Sequence, residues 1–256
     1  MTSRDDLLQA FNTLLQPERF KDYGPNGLQV EGKPKVKKIV SGVTASRALI
    51  EAAIEAQADA IFVHHGLFWR GQDGRVVGWM KQRLALLLKH DINLFAYHLP
   101  LDAHPELGNN AQLGLMLGLK AFDGDEGRFG EQALGFIGKR KDGRTFAKAH
   151  SLANHVERVL KRPVALVDVA DQEIRTISWC TGGAQNYFEA AIAAGADAFI
   201  TGEISEPQAH YAREAGVAYL ACGHHATERY GAPAVAGQIA AQLGLQHEFI
   251  DIDNPA

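Results

Sequence analysis

At 256 residues, 46% hydrophobic and 22% charged, the chain has the composition of a soluble globular protein forming one large or two smaller domains. Its net charge of −4 gives no basic footprint for nucleic acid, and no apolar run approaches the roughly 18 residues that span a bilayer. Only Cys180 and Cys222 occur, outside any Cys-x-x-Cys motif, which argues against a disulfide scaffold and suits a reducing, cytoplasmic setting.

The opening "MTSRDDLLQAFNTLL" is acidic, lacks the apolar core of a signal peptide, and predicts an amphipathic helix over 3–15 capped by Ser3. "YGPNGLQVEG" is a loop of turn formers, and "KKIVSGVT" a short strand. "SRALIEAAIEAQ" is a good helix former and "ADAIFV" an apolar strand. "VGWMKQRLALLLKHD" reads as a further helix and "INLFAYH" as the next buried strand. Strands alternating with helices predict α/β layers with largely parallel pairing. The middle is rich in Gly and charge, with "ALGFIGKR" a candidate strand and "DGR" a turn, so a domain change is expected near 123–130. That gives a first lobe over 1–125 and a second over 126–256.

The second half repeats the first. "EAAIEAQADAIFV" (51–63) lies over "EAAIAAGADAFIT" (189–201) without a gap, with eight of thirteen positions identical. Alanine richness inflates that identity, but Glu51/Glu189, Ile54/Ile192 and Asp59/Asp197 fall in register and both copies run helix, then "AD", then strand. The expected fold is therefore two related, duplicated α/β lobes with mixed sheets flanked by helices. In this register His64 and His65 overlie Gly202 and Glu203, at the carboxyl strand edge where open α/β sheets place ligands.

Three clusters carry chemistry. "FVHHGLFW" offers His64 and His65, "AYHLPLDAHPELGNN" offers His98, Asp102 and His104, and "CGHHATERYG" offers His224, His225 and Glu228. On a helix His224 and Glu228, four apart, share a face and present a nitrogen and a carboxylate to one ion. Any one histidine taken alone reads better as a satisfied core or surface residue. Jointly, with two acids, they point to a site for Zn, Fe, Mn or a related ion. Glu203 is a candidate general acid or base. It is also well placed for a solvated turn before the helix "SEPQAHYAREAG", where Ser205 and Gln208 are spaced as a capping box. Cys222 reads as buried filler, Phe68 and Trp69 as site wall or a stacking surface for a ring, and "TGGAQ" as a weak phosphate-loop candidate lacking a P-loop lysine.

"VHHGLFW", "YHLPLDAHPELGNNAQL", "TGE" and "GHHATERYG", with the earlier "NGLQVEG", closely resemble the NGG-one-interacting factor three-like family, whose bacterial YbgI branch bears the name GTP cyclohydrolase type 2 homologue. The motifs run in order over about 26–231, without the extra domain that longer members insert. The resemblance implies two divalent metal ions between the lobes, with His64 and His65 each supplying a ligand, Asp102 bridging, and His224 and Glu228 coming from the second half. It places His98 close to the metals, as a ligand or a neighbour of one. It also implies a homo-oligomer, a toroidal hexamer. The expected function is a dinuclear metal-dependent hydrolase acting on a nucleotide or similar heterocycle, GTP cyclohydrolase-like. The rivals are a metal-handling or regulatory protein-interaction factor without turnover, and a structural hexamer whose metals only fix the lobes.

Overall fold

Ser3 opens the first helix, Arg4–Leu15, where its hydroxyl accepts the Asp6 amide, and Leu7, Phe11 and Leu15 form the buried stripe. The computed structural model describes residues 1–169 and 172–256, and divides into one unit of 1–108 with 231–253 and another of 109–230 with 254–256. The expected bounds of 1–125 and 126–256 differ at both joints. At the first, Leu113, Leu117 and Leu119 already bury into the core of the second unit, so the stretch near 123–130 is internal to it. At the second, the strand Gln246–Phe249 pairs in parallel with Lys38–Thr44, and Val235, Ala236 and Ile239 of the helix Gly231–Leu243 pack with Leu7 and Phe11.

The sheet of the first unit runs Gln246–Phe249, Lys38–Thr44, Ala60–His65, Asn93–Ala96, Gly27–Val30; the first three pairings are parallel and the last antiparallel. Its strands feed two apolar layers by simple alternation. Ile39, Ala60, Phe62 and Phe95 face the layer holding Arg4–Leu15 and Gly231–Leu243. Val40, Ile61, Val63 and Leu94 face the layer holding Arg47–Glu55 and Gly78–Lys89. Both faces are covered, which is why these strands read as continuous apolar runs.

The second unit has a mixed sheet ordered Ala165–Val167, Ala218–Ala221, Ala198–Thr201, Ile177–Trp179, Gly135–Arg140, Leu119–Ala121, with the short Arg128–Phe129 beside Gly135–Arg140. Its three central strands are parallel.

The duplication shows in hydrogen bonds as well as in order. Asp59 precedes Ala60–His65, and its Oδ2 accepts the amides of Lys37 and Lys38 at 2.8 and 3.3 Å. Asp197 precedes Ala198–Thr201, and its Oδ2 accepts the amides of Arg175 and Thr176 at 2.9 and 2.8 Å. The aligned aspartates thus do the same work: each closes the start of the neighbouring parallel strand. Each unit then continues through a helix to a third parallel strand and a five-residue helix, Leu99–Ala103 in one and His224–Glu228 in the other. Among the described residues no helix is long and apolar enough to cross a membrane.

Replacing Asp59 with Ala strands these two amides and removes the partner of Lys33 at 2.9 Å. The expected loss of stability is about 1–3 kcal/mol. It should appear as a lower urea midpoint at unchanged slope, and an unchanged midpoint would show that the strand start is held by other means.

Candidate metal centre

The strand Ala60–His65 carries its two histidines rather than stopping before them. Alternation puts His64 on the face of Phe62 and His65 on that of Val63, so the two meet different partners. His64 is fully buried, with Nδ1 3.2 Å from the Tyr97 carbonyl, which can only accept. The hydrogen therefore sits on Nδ1, and Nε2 lies 3.5 Å from Oδ1 of Asp102. His65 Nδ1 meets the Thr44 hydroxyl at 3.0 Å. The two rings still converge, 4.4 Å apart, at the carboxyl end of the strand.

His98 follows Asn93–Ala96 and precedes the short helix Leu99–Ala103. Its Nδ1 lies 2.7 Å from Oδ1 of Asp22. One ring nitrogen from each of His64, His65 and His98 lies within 4.8 Å of the other two, a group able to hold a metal ion. Trp69 stands edge-on to His98 at 5.0 Å, which favours the wall reading of this aromatic over stacking on a substrate. His104 turns away to a local task, its Nδ1 accepting the amides of Glu106 and Leu107.

Asp22 lies in none of the motifs that pointed to this site. Its buried carboxylate accepts from His98, from Asn26 Nδ2 at 2.9 Å, and from the amides of Tyr23 and Leu99 at 2.6 and 2.9 Å. Burial alone would raise its pKa, but the bonds from His98, Asn26 and Tyr23 outweigh that and hold it below the usual range. The one clue in the sequence was Asn26 of "NGLQVEG", four residues on, whose side chain also accepts the His98 amide at 2.7 Å.

In the second unit the short helix His224–Glu228 puts both candidate ligands on one face, with Nε2 of His224 3.2 Å from Oε2 of Glu228. Glu203 lies at the strand end aligned with His65, and its Oε1 is 2.6 Å from Nδ1 of His224. Gly182 of "TGGAQ" sits at φ +70°, and a Cβ there would collide with Oε1 of Glu228. The glycine is thus explained by a close carboxylate, without a phosphate. Ser205 does stand at the N-cap of Glu206–Ala215, but its side chain makes no capping bond; Gln185 Nε2 approaches it at 3.4 Å instead. Cys222 is fully buried, as a filler should be, and burial pushes its thiol pKa up. His225 is buried and its amide donates to the Ala256 carbonyl at 3.2 Å.

The expected site residues therefore fall into two local groups: His64, His65, His98 and Asp102 in one unit, and His224, Glu228 and Glu203 in the other. In all four imidazoles Nδ1 is engaged by an oxygen, and Nε2 of His64 lies beside Asp102 while Nε2 of His224 lies beside Glu228. This donor set fits a borderline first-row divalent ion. Beside His224 and Glu203 the second unit holds a cavity of about 600 Å³, also lined by Arg162, Gly202 and Gly223.

A family model described as Duf34/NIF3 (NGG1p interacting factor 3) matches residues 2–255. A Neisseria meningitidis serogroup A protein named "GTP cyclohydrolase 1 type 2 homolog" is 51% identical over 256 residues, with 100% of each chain covered. A Pseudomonas aeruginosa protein of the same name is 50% identical over 250 residues, covering 98% of this chain and 97% of its own. Among solved structures, "protein ybgI, unknown function" superimposes with a TM-score of 0.93 at 44% identity, and a Thermus thermophilus protein with 0.87 at 32%, each covering 100% of both chains.

Burial opposes the charged form of His224, but Glu228 and Glu203 outweigh it and raise its pKa from 6.5 to about 9. A raised histidine pKa stabilises the fold fully below the unfolded value and loses that contribution as pH climbs through the folded value. Metal-free protein should therefore lose stability between about pH 6.5 and 9. An ion on Nε2 must displace the same proton, so metal affinity should rise across this window, by about tenfold per pH unit for one proton released. Thermal melts and chelator-competition titrations at stepped pH check both signs, and a flat metal affinity would show that His224 is not a ligand.

Proposed function

Because this chain belongs to the Duf34/NIF3 family, we propose that its histidines and carboxylates form a dinuclear metal centre serving a hydrolase that acts on a nucleotide or related heterocycle. The observation that carries the reading is the set of four imidazoles held at Nδ1, with Nε2 of His64 beside Asp102 and Nε2 of His224 beside Glu228. In this reading His64, His65 and Asp102 supply ligands from the first unit and His224 and Glu228 from the second. Two divalent ions would supply Lewis acidity and an activated water nucleophile at neutral pH.

The chain's own residues support the rest. The cavity of about 600 Å³ is in the size range of small-ligand sites, and Arg162 brings a cation suited to a phosphate or other anionic group. Glu203 takes two tasks: Oε1 fixes His224, and the half-exposed carboxylate lines the cavity, where it gives or takes a proton at the substrate. The relatives' name makes GTP ring opening the reaction to try first. A toroidal homohexamer belongs to the same reading, and the exposed apolar run of Val76, Val77, Trp79 and Leu88 offers surface for it. Sedimentation equilibrium returning a monomer would remove the hexamer.

Metal-replete protein should convert GTP to a ring-opened or formyl product, and Glu228→Gln should lower kcat by at least 100-fold. No turnover of GTP or other nucleotides by protein holding its metals sinks the hydrolase. If those ions also pass readily to a weak chelator, the molecule is a metal-handling protein instead.

A further inference from the structure

We propose that Arg162 carries an anion site for a phosphate group and that the segment 254–256 is its built-in stopper. A phosphate on the guanidinium and the Pro255 carbonyl that sits there exclude one another. The inference rests on the cavity reading above and deepens it, by naming what blocks the site and what opens it. All of its parts lie in the second unit.

Arg162 is fixed at its base. The helix Ala149–Leu160 ends on Lys161, whose left-handed backbone at φ 58° turns the chain, and Pro163 follows. The Val164 amide then donates to Oε1 of Glu157 at 3.0 Å. The guanidinium lies against Gly223, at φ +95°, where a Cβ would collide with Nη1. Among the described residues no carboxylate pairs with this half-buried cation. Nε and Nη2 form one edge of a guanidinium, the edge that meets two oxygens of a phosphate side by side. Here Nη2 donates to the Pro255 carbonyl at 3.1 Å, while Nε is buried without a hydrogen-bond partner. One neutral oxygen half-fills an edge suited to two.

The stopper is lightly held. Asn254, Pro255 and Ala256 are all exposed. Besides the Pro255 contact, the Ala256 carbonyl accepts the His225 amide at 3.2 Å, and the Ala256 amide donates to Oδ1 of Asn254 at 2.9 Å. Ala256 lines the same cavity as Arg162, Glu203 and His224. Glu203 does not take the arginine, because its Oε1 is 2.6 Å from Nδ1 of His224 and Gln185 Nε2 approaches its Oε2 at 3.4 Å. A charge-assisted hydrogen bond is roughly twice as strong as a neutral one, and a bidentate anion makes two of them. An arriving phosphate group therefore displaces the lone carbonyl and completes the edge.

The test is calorimetric titration of the metal-replete full chain with inorganic phosphate and with a nucleoside monophosphate. The same titrations are run on a chain shortened to end at Asp253, on Arg162→Ala, on Arg162→Lys, and on the shortened chain with Arg162→Ala. Shortening should tighten binding about 2–10-fold, the range of one neutral hydrogen bond no longer in competition. Arg162→Ala should weaken binding about tenfold or more and abolish the effect of shortening. Arg162→Lys keeps the charge without the two-donor edge and should recover only part of the affinity. Tightening for both probes identifies a free anion as ligand, and tightening for the nucleotide alone identifies the phosphate of a larger molecule; each supports the site. A shortened chain that binds neither probe, or neither more tightly than the full chain, overturns the inference. So does a gain from shortening that survives Arg162→Ala, full recovery by Arg162→Lys, or binding untouched by Arg162→Ala because the metal ions hold the phosphate. Only binding is read, so a positive result without nucleotide turnover keeps the site while the hydrolase falls.

Discussion

An imidazole has two nitrogens, and what holds one decides what the other can do. Around this centre the oxygens on Nδ1 come from unlike sources: a backbone carbonyl, a hydroxyl and two carboxylates. Each is placed by the fold rather than by its neighbours in sequence. Thr44 reaches His65 because the two are register partners in parallel strands, and a slip of one residue would turn both away. The Tyr97 carbonyl reaches His64 because the Tyr97 amide is itself held by the Val63 carbonyl. That register is locked from behind by Phe11, Phe62 and Tyr97, whose rings lie 4.6–5.9 Å apart. The chemistry of the nitrogens is in this sense an output of core packing.

The parts of this arrangement that could be read from the sequence were those with local signatures. Apolar runs marked the central strands, Ser3 marked the first cap, and the aligned "AD" pairs marked the duplication that Asp59 and Asp197 express in hydrogen bonds. The His224 and Glu228 spacing foretold a shared helix face. What escaped depended on distance along the chain. Asp22 meets His98 across 76 positions, and no periodicity announces such a pair. The return of Gln246–Phe249 to the first sheet was hidden for the same reason: a lone strand following a helix looks alike whichever sheet receives it. Ser205 shows the opposite error, a local signature present where the side chain does other work.

The two copies of the α/β unit have kept their scaffold and divided their chemistry. At the strand end that holds the His65 imidazole in one copy, the other holds Glu203, whose carboxylate steadies the His224 ring at Nδ1. The short helix that follows the third strand bears Asp102 in one copy and Glu228 in the other, each beside an imidazole Nε2. Equivalent backbone positions thus serve as sockets, and the residue placed in each determines its task.

The first unit is discontinuous: residues 109–230 intervene before Gly231–Leu243 and Gln246–Phe249 complete it. On the ribosome, the strand Lys38–Thr44 therefore waits with one edge unpaired until the whole second unit has been made. The helix Gly231–Leu243, which seals one face of the sheet behind Phe62, arrives equally late. The second unit has all but its three terminal residues in hand by then and can fold first. Vectorial synthesis accordingly makes His224 and Glu228 available before the last strand and the helix that close the sheet carrying His64 and His65.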